Sequence, residues 1–535
     1  MKNSNILKSA STVGFLTTIS RILGYVRDAA LAMVLGAGSS MDAFTIAFRI
    51  ANLFRRFLGE GAMTAAFVPV FAEYREKHSQ EELWKFVSKF FYTLAVILTG
   101  VVVLQIAFAP QLVGLMSPGF VKVPGKWELT IFLNRIMAPY VLFIGLAAVL
   151  MAVLNSMGSF AVSAANPIYF NVLVIFSAFS FSKLFDEPAV GISVGVLFGG
   201  VLQLLSQVPA AWKRGMRFIP SISFTHPAIK KISLLMVPGI IGIGIYQINL
   251  LVDSIMGSFL PEGSVSAIYY ATRVVELVQG IFIVSFATVI LTEMSRHAAQ
   301  NNHEDMKETL TFSLRMVTFV SLPATIGLVV LAHPITQVLF EHGRFESGDT
   351  ERAAFALLFY AIGIMFVAGA RIVVQAFYAV QDTKTPVRCA FFSLIANIIG
   401  NAILMQPLKQ GGIALSTSIA AAINFFQLLS IYQKRFGPVD WTSFRDSFAR
   451  IVAASLSMAF ACVLFLNVFR FSDHTRFLSR ALALFGTIGM SLLVYFAVSL
   501  ILKSKELAAL KDSLSKGPKT MEEVAAASVE EADVE

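Results

Sequence analysis

The sequence predicts an all-α integral membrane protein of about 14 transmembrane helices. They form two six-helix lobes in a parallel pseudo-twofold repeat, followed by two extra C-terminal helices. Three observations predict this. Of 535 residues, 56% are hydrophobic and only 14% charged, with a mean hydropathy of +0.73, whereas a soluble globular chain carries about 25% charge. Apolar stretches of bilayer-crossing length, about 20 residues, follow one another with short connections. The first half of the chain also reappears in the second.

In chain order the expected spans are 9–35, 42–72, 86–109, 128–156, 161–183, 189–212, 229–258, 264–295, 309–332, 352–379, 386–407, 411–434, 447–470 and 477–502. The first follows Lys2 and Lys8 as a signal peptide would. However, Arg21 and Arg27 interrupt its apolar run and no small-residue cleavage site follows, so it reads as a retained helix. Residues 1–220 make the first lobe, 221–438 the second, and 439–503 the two additional helices. The tail, 504–535, turns acidic at Glu522, Glu523, Glu530, Glu531 and Glu535 and loses apolar periodicity after about Leu514. It is expected to be disordered.

Basic residues fix the expected orientation. With the N-terminus in the cytoplasm, about 24 Lys and Arg fall on that side, the 213–231 connection and the 434–450 stretch among them, against about nine on the other. Both termini are therefore expected in the cytoplasm. The net charge of +9 follows from this bias, so no nucleic-acid partner is needed to explain it.

The repeat runs through six spans at a nearly constant offset. At 225, Gly14, Asp28 and Gly38 fall on Gly239, Asp253 and Gly263; at 224, Ala43, Ala47 and Arg49 fall on Ala267, Ala271 and Arg273. At 221, Gly191-Ile192 and Lys213-Arg214 fall on Gly412-Ile413 and Lys434-Arg435. Each unit holds an even number of helices, so both copies enter the membrane from the same side. This is the pattern of two-lobed transporters with a substrate site between the halves.

Arg21, Arg27, Arg49, Arg55 and Arg56 lie within the first two spans, where each cation at mid-bilayer costs about 2.5–3.5 kcal/mol on insertion scales. Arg49 has its repeat partner in Arg273. The others face Tyr246, Val252, Gln279 and Gly280, so the first lobe is the more cationic. Asp28, Asp42 and Glu60 are expected to offset part of this charge, and Glu276 part of Arg273's. Surplus arginine suits an anion, phosphate above all, because guanidinium forks donate paired hydrogen bonds. Arg135, Arg315 and Arg371 read as structural. Gly24 and Gly38 are candidate hinges. Asp253 with Asn397, Asn401 and Thr417 offers oxygen ligands from three helices, a candidate site for a small monovalent cation.

Other chemistries find little support. Cys389 and Cys462 have no disulfide or metal-ligand spacing, and the seven histidines form no paired motif. Gly119 to Trp127 has the wrong spacing for a P-loop and lacks Ser or Thr after Lys126. Gly239, Gly242 and Gly244 suggest close helix packing. No D-x-D pair, ATP site or catalytic cluster is found, so the chain reads as a non-enzyme that needs no cofactor. Uphill transport would draw on sodium, protons or the membrane potential.

The runs Ser20-Arg21-Ile22-Leu23-Gly24-Tyr25-Val26-Arg27-Asp28, Asp42-Ala43-Phe44, Asn52-Leu53-Phe54-Arg55-Arg56, Glu60-Gly61-Ala62 and Phe67-Val68-Pro69 stand out in the first half, and Phe377-Tyr378 with Gln381-Asp382-Thr383-Lys384-Thr385-Pro386 in the second. Together these runs resemble the MurJ/MviN lipid II flippases. The likeness covers nearly the whole chain. It implies a fourteen-helix member of the multidrug, oligosaccharidyl-lipid and polysaccharide exporter superfamily in the bacterial inner membrane. Its substrate would be lipid II, an undecaprenyl-diphosphate-linked disaccharide peptide. Arg21, Arg27, Arg55 and Arg273 would then engage the diphosphate, and the two extra helices would form a groove for the polyprenyl tail. One departure is Thr272, where some members carry an acid, leaving Glu276 as the candidate partner of Arg273. The resemblance fits a monomer that contacts membrane lipids and cell-wall synthesis proteins. The rival readings are a multidrug or lipid-linked oligosaccharide exporter, which for organic cations needs an acidic or aromatic cavity; a membrane enzyme; and a non-transporting scaffold.

Overall fold

The computed structural model describes residues 3–59, 62–300, 302–471 and 476–515, and among them every regular element is helical. The first half comprises α1 (Asn3–Leu35), α2 (Ser39–Gly59), α3 (Ala62–Lys77), α4 (Gln80–Ala107), α5 (Ala109–Met116), α6 (Lys126–Met137), α7 (Tyr140–Ser156), α8 (Phe160–Phe179), α9 (Pro188–Leu205) and α10 (Val208–Lys213). The second comprises α11 (Pro227–Ser258), α12 (Ser264–Ala299), α13 (His303–Phe340), α14 (Ser347–Ala379), α15 (Lys384–Leu408) and α16 (Gln410–Phe436). The additional pair α17 (Trp441–Val468) and α18 (Phe477–Ile501) follows, then α19 (Lys505–Ser515).

Among the described residues, ten segments are long and apolar enough to cross a membrane. The four expected spans outside that set are filled by α1, α2 with α3, α11 and α12, the helices that carry the arginines and acids singled out above. Helix ends follow local chemistry. Ser79 and Glu82 form a reciprocal capping box at the start of α4. Asp440 caps α17 through Ser443 N, and Asp382 caps α15 through the backbone N–H groups of Lys384 and Thr385. Pro139, between α6 and α7, marks the interruption of the expected fourth span.

Packing sorts the chain into two units. One holds Met1–Ala271, Leu339–Ala356 and Asn397–Ser416; the other holds Thr272–Val338, Leu357–Ala396 and Thr417–Glu535. In the first, Phe67, Phe71, Phe86, Leu98, Val149 and Ile232 join α3, α4, α7 and α11 in an apolar core. In the second, Phe319, Ile451, Met458 and Tyr495 bind α13 to the α17–α18 pair.

The start of the tail, expected to lack order, is helical in α19, and the residues after 515 lie outside the described residues. Leu507 and Leu510 pack on the α13–α17–α18 core. Buried Glu506 accepts from Arg315 Nε at 2.7 Å, and Arg315 Nη1 donates to Ser443 Oγ at 3.0 Å. Arg315 thus has the structural role expected of it.

Gly36 ends α1 at φ 67°, and a Cβ built there would lie 2.6 Å from the carbonyl oxygen of Arg344. Gly36→Ala is expected to cost about 2 kcal/mol through backbone strain and this clash, seen as a lower thermal midpoint of the detergent-solubilised protein. Gly14→Ala, at an open helical position in α1, should leave the midpoint unchanged or raise it.

Candidate functional site

Arg27 and Asp28 form the most elaborated charge pair in α1. Arg27 donates from Nε at 2.9 Å and Nη2 at 2.7 Å to the same oxygen, Asp28 Oδ1, and from Nη1 to Asn171 Oδ1 at 3.1 Å. Asn171, on α8, donates in turn to Ser20 O. Tyr269, near the start of α12, donates its hydroxyl to Asp28 Oδ1 at 2.9 Å. The Phe170 ring lies 6.0 Å from the guanidinium carbon. With 13% of the Arg27 side chain exposed and 3% of Asp28, the pair is largely withdrawn from solvent but still accessible on the arginine side.

The remaining arginines divide. Arg49 donates to Leu250 O and Ser254 Oγ, tying α2 to α11. Arg55 Nε donates to Asn52 Oδ1 at 2.8 Å. Arg21 is exposed on α1, and Arg56 is half-buried. Arg273, in the second packing unit, pairs with Glu276 at 2.6 Å. Gly24 lies inside the unbroken α1, with the Asn171 amide as its nearest neighbour, and Gly38 lies against Glu262. Glu60 falls outside the described residues.

Asp42, expected to offset arginine charge, has other partners. Its Oδ2 accepts from Lys126 Nζ at 2.6 Å and Gly263 N at 2.9 Å; its Oδ1 accepts from Ser266 N at 2.7 Å and Ser266 Oγ at 2.5 Å. The carboxylate therefore caps the N-terminus of α12, where backbone N–H groups are unpaired and the helix dipole favours an anion. Both side chains are buried, 1% exposed for Asp42 and 3% for Lys126, and the lysine lies 4.1 Å from the Phe120 ring centroid. The arrangement is reciprocal, since Glu262 Oε1, just before α12, accepts from Ser39 N at 2.7 Å at the start of α2. Hydrogen bonding to Ser39 holds the Glu262 carboxyl below its ordinary value. Nearby, Ala37 N donates to Asp349 Oδ2 at 3.2 Å, and Arg344 N to Met33 O at 2.9 Å. Segments from both sequence halves are thus latched together at the face opposite the N-terminus.

The cation candidates are partly assembled. Asn401 Nδ2 donates to Asp253 Oδ1 at 3.0 Å and to Asn397 Oδ1 at 3.1 Å, and all three residues are buried. Asn401 Oδ1 is a buried acceptor without a hydrogen-bond donor among the described residues. Thr417 belongs to the second packing unit. Two apolar features lie in that unit. One is a cavity of about 180 Å³ between α13, α14, α16 and α17, lined by Phe366, Phe425, Trp441 and Phe444 among others, with no charged residue in its wall. The other is a groove formed by Leu456, Phe460, Ala461 and Leu464 of α17 with Val494 of α18.

Sequence reasoning missed Lys126, Asn171, Glu262, Ser266, Tyr269 and Asp349. Lys126 looked like a connection residue because hydropathy cannot show that a connection folds inward. Ser266 carried a signal, as the 224 offset that aligns Arg49 with Arg273 also aligns it with Asp42.

A sequence model described as lipid II flippase MurJ matches residues 31–483. The chain is 35% identical over 513 residues to a probable lipid II flippase MurJ of Vibrio cholerae, covering 94% of this chain and 97% of that protein. It is 34% identical over 500 residues to that of Rickettsia prowazekii, covering 93% and 98%. A solved structure of lipid II flippase MurJ in an inward closed conformation superposes with TM-score 0.75 at 29% identity, covering 91% of this chain and 98% of that one. An inward-facing multidrug resistance MATE family transporter superposes at 0.66 with 14% identity over 78% and 95% of the two chains, a likeness of fold.

Two predictions concern the latch. Lys126→Met leaves Asp42 buried without its cation and should cost about 3–5 kcal/mol, read as a lower thermal midpoint. Because the Glu262 carboxyl is held low, its contribution is present above the ordinary glutamate value of about 4.3 and is lost as pH falls through the lowered one. Glu262→Gln should therefore flatten the acid limb of a melting-midpoint profile while leaving its neutral region less changed than Lys126→Met does.

Proposed function

Since the chain belongs to the lipid II flippase MurJ family, we propose that it carries lipid II from the inner to the outer leaflet of the bacterial cytoplasmic membrane by alternating access. The observation that carries the reading is the charge of the first two spans. Residues 9–59 contain five arginines against two aspartates, and Asp42 is engaged by Lys126. Such a surplus is costly in a bilayer unless an anion meets it, and the lipid-linked diphosphate is an anion of suitable geometry. Arg27 directs two donors at a single oxygen of Asp28, whereas a diphosphate offers separate oxygens to each arm of the fork. Tyr269 would hold Asp28 while Arg27 changes partner. Arg21, Arg55 and Arg273 would complete the binding set.

The remaining parts take roles consistent with this. With both termini in the cytoplasm, the Asp42–Lys126 latch lies on the periplasmic side and must release for the head group to leave. The α17–α18 groove suits the polyprenyl tail, being lined mainly by apolar side chains. The carboxylate and amide oxygens of Asp253, Asn397 and Asn401 fit a hard monovalent cation, and sodium bound there would supply a gradient-dependent bias on the empty carrier. The protein acts as a monomer in this reading, and its loops are available to cell-wall synthesis proteins.

Translocation of fluorescent lipid II in proteoliposomes tests the proposal. Arg27→Ala and Arg273→Ala should each slow flipping by at least about tenfold, the worth of a lost charge-assisted hydrogen bond, and unimpaired flipping by both variants would remove the arginines from the mechanism. Asp253→Ala should abolish any response to a sodium gradient. If the rate is indifferent both to this change and to sodium, the cation site is wrong.

A further inference from the structure

The connection between α10 and α11 crosses the surface of the first packing unit in a form that neither a loop nor a span would need. Residues 216–223 are irregular backbone, strapped along α4 by that helix's hydroxyls. Ser88 Oγ donates to Arg217 O, Tyr92 OH to Phe218 O at 3.3 Å, and Thr93 Oγ1 to Ser223 O at 3.4 Å while accepting from Ser223 N at 3.0 Å. The Phe218 ring turns inward, edge-on to Phe91. The last charge on α4 is Lys89, after which residues 90–107 are uncharged. Tyr92 and Thr93 lie one turn past that charge, at the start of the uncharged stretch, and the strap reaches that level of α4. Lipid cannot hydrogen-bond exposed backbone; α4 supplies partners, and Pro220 has no N–H to satisfy.

The outward side of the strap is amphipathic in the manner of a membrane interface. Trp212, Ile219, Ile222 and Phe224 are each more than half exposed. Lys213, Arg214 and Arg217 lie at one end and Lys230 and Lys231 at the other, with no Asp or Glu from 212 to 231. Among the described residues, only Lys231 of these five meets an acid, Glu73 at 2.5 Å. Apolar side chains flanked by cations, four of the five without an acid among the described residues, match the boundary between acyl chains and anionic head groups.

We propose that the 212–231 connection is a lipid-docking surface. Ile219, Ile222 and Phe224 insert at the edge of the hydrocarbon, and Lys213, Arg214 and Arg217 bind the phosphates of anionic phospholipids. This goes beyond the transport reading and does not depend on it, since docking requires only that the chain sit in a bilayer.

The test uses the full-length protein in nanodiscs of equimolar phosphatidylglycerol and phosphatidylcholine, with retained lipid counted by native mass spectrometry. The triple variant Lys213→Gln/Arg214→Gln/Arg217→Gln should lose about tenfold of the preference for phosphatidylglycerol, and excess soluble glycerophosphate should not displace lipid from the wild type. In parallel, Ile222→Cys carrying a nitroxide should be relaxed by oxygen and not by a water-soluble nickel chelate. Cys389 and Cys462 are buried, so the label reports from the strap. Unchanged lipid preference in the folded triple variant, displacement by glycerophosphate, or a nickel-accessible label each overturns the proposal. The label arm decides alone if the triple variant does not fold.

Discussion

One buried carboxylate organises the face opposite the N-terminus. Asp42 accepts hydrogen bonds from Lys126, Gly263 and Ser266, so a single side chain on α2 neutralises a buried cation and closes the N-terminus of α12. Removing either charge strands the other in a place without water, which makes the pair stringent rather than merely stabilising. The fixed start of α12 in turn fixes Tyr269, one turn further on, whose hydroxyl holds Asp28. The geometry around Arg27 thus depends on a contact formed one turn away along α12, through the rigidity of that helix.

The two halves have diverged within a shared plan. Asp28 and Asp253 are repeat equivalents, and each belongs to a network containing an asparagine from the fifth span of its half, Asn171 beside Arg27 and Asn401 with Asn397. In the first half, arginine has joined the carboxylate; in the second, a neutral amide, that of Asn401, donates to it. One repeated pattern thus carries an arginine-containing network in the first half and an amide-rich one in the second.

Much of this was legible in the sequence, because a bilayer leaves few alternatives to helices and a duplicated chain aligns with itself. Most expected spans correspond to single helices, with bounds shifted where polar first turns extend them, as in α13, which starts at His303 rather than 309, whereas 42–72, 128–156 and 189–212 are each built from two helices. Periodicity could not show which charge meets which. Asp42 looked like a counter-ion for the arginines and Lys126 like a loop residue, since their pairing spans 84 positions and depends on how connections fold back. The packing units were equally hidden. Residues 339–356 and 397–416 belong to the first unit, which a repeat offset does not encode.

The Arg315–Glu506 pair has a practical consequence for anyone shortening the chain. Glu506 lies almost at the end of the described residues, yet it is the buried acceptor for a guanidinium on α13 and is supported by Ser504 at 2.8 Å. Ending an expression clone at the last residue of α18 would discard what looks like a dispensable appendage and leave a cation inside the protein with no acid to meet it. A purification tag placed after residue 515 keeps that acid in place.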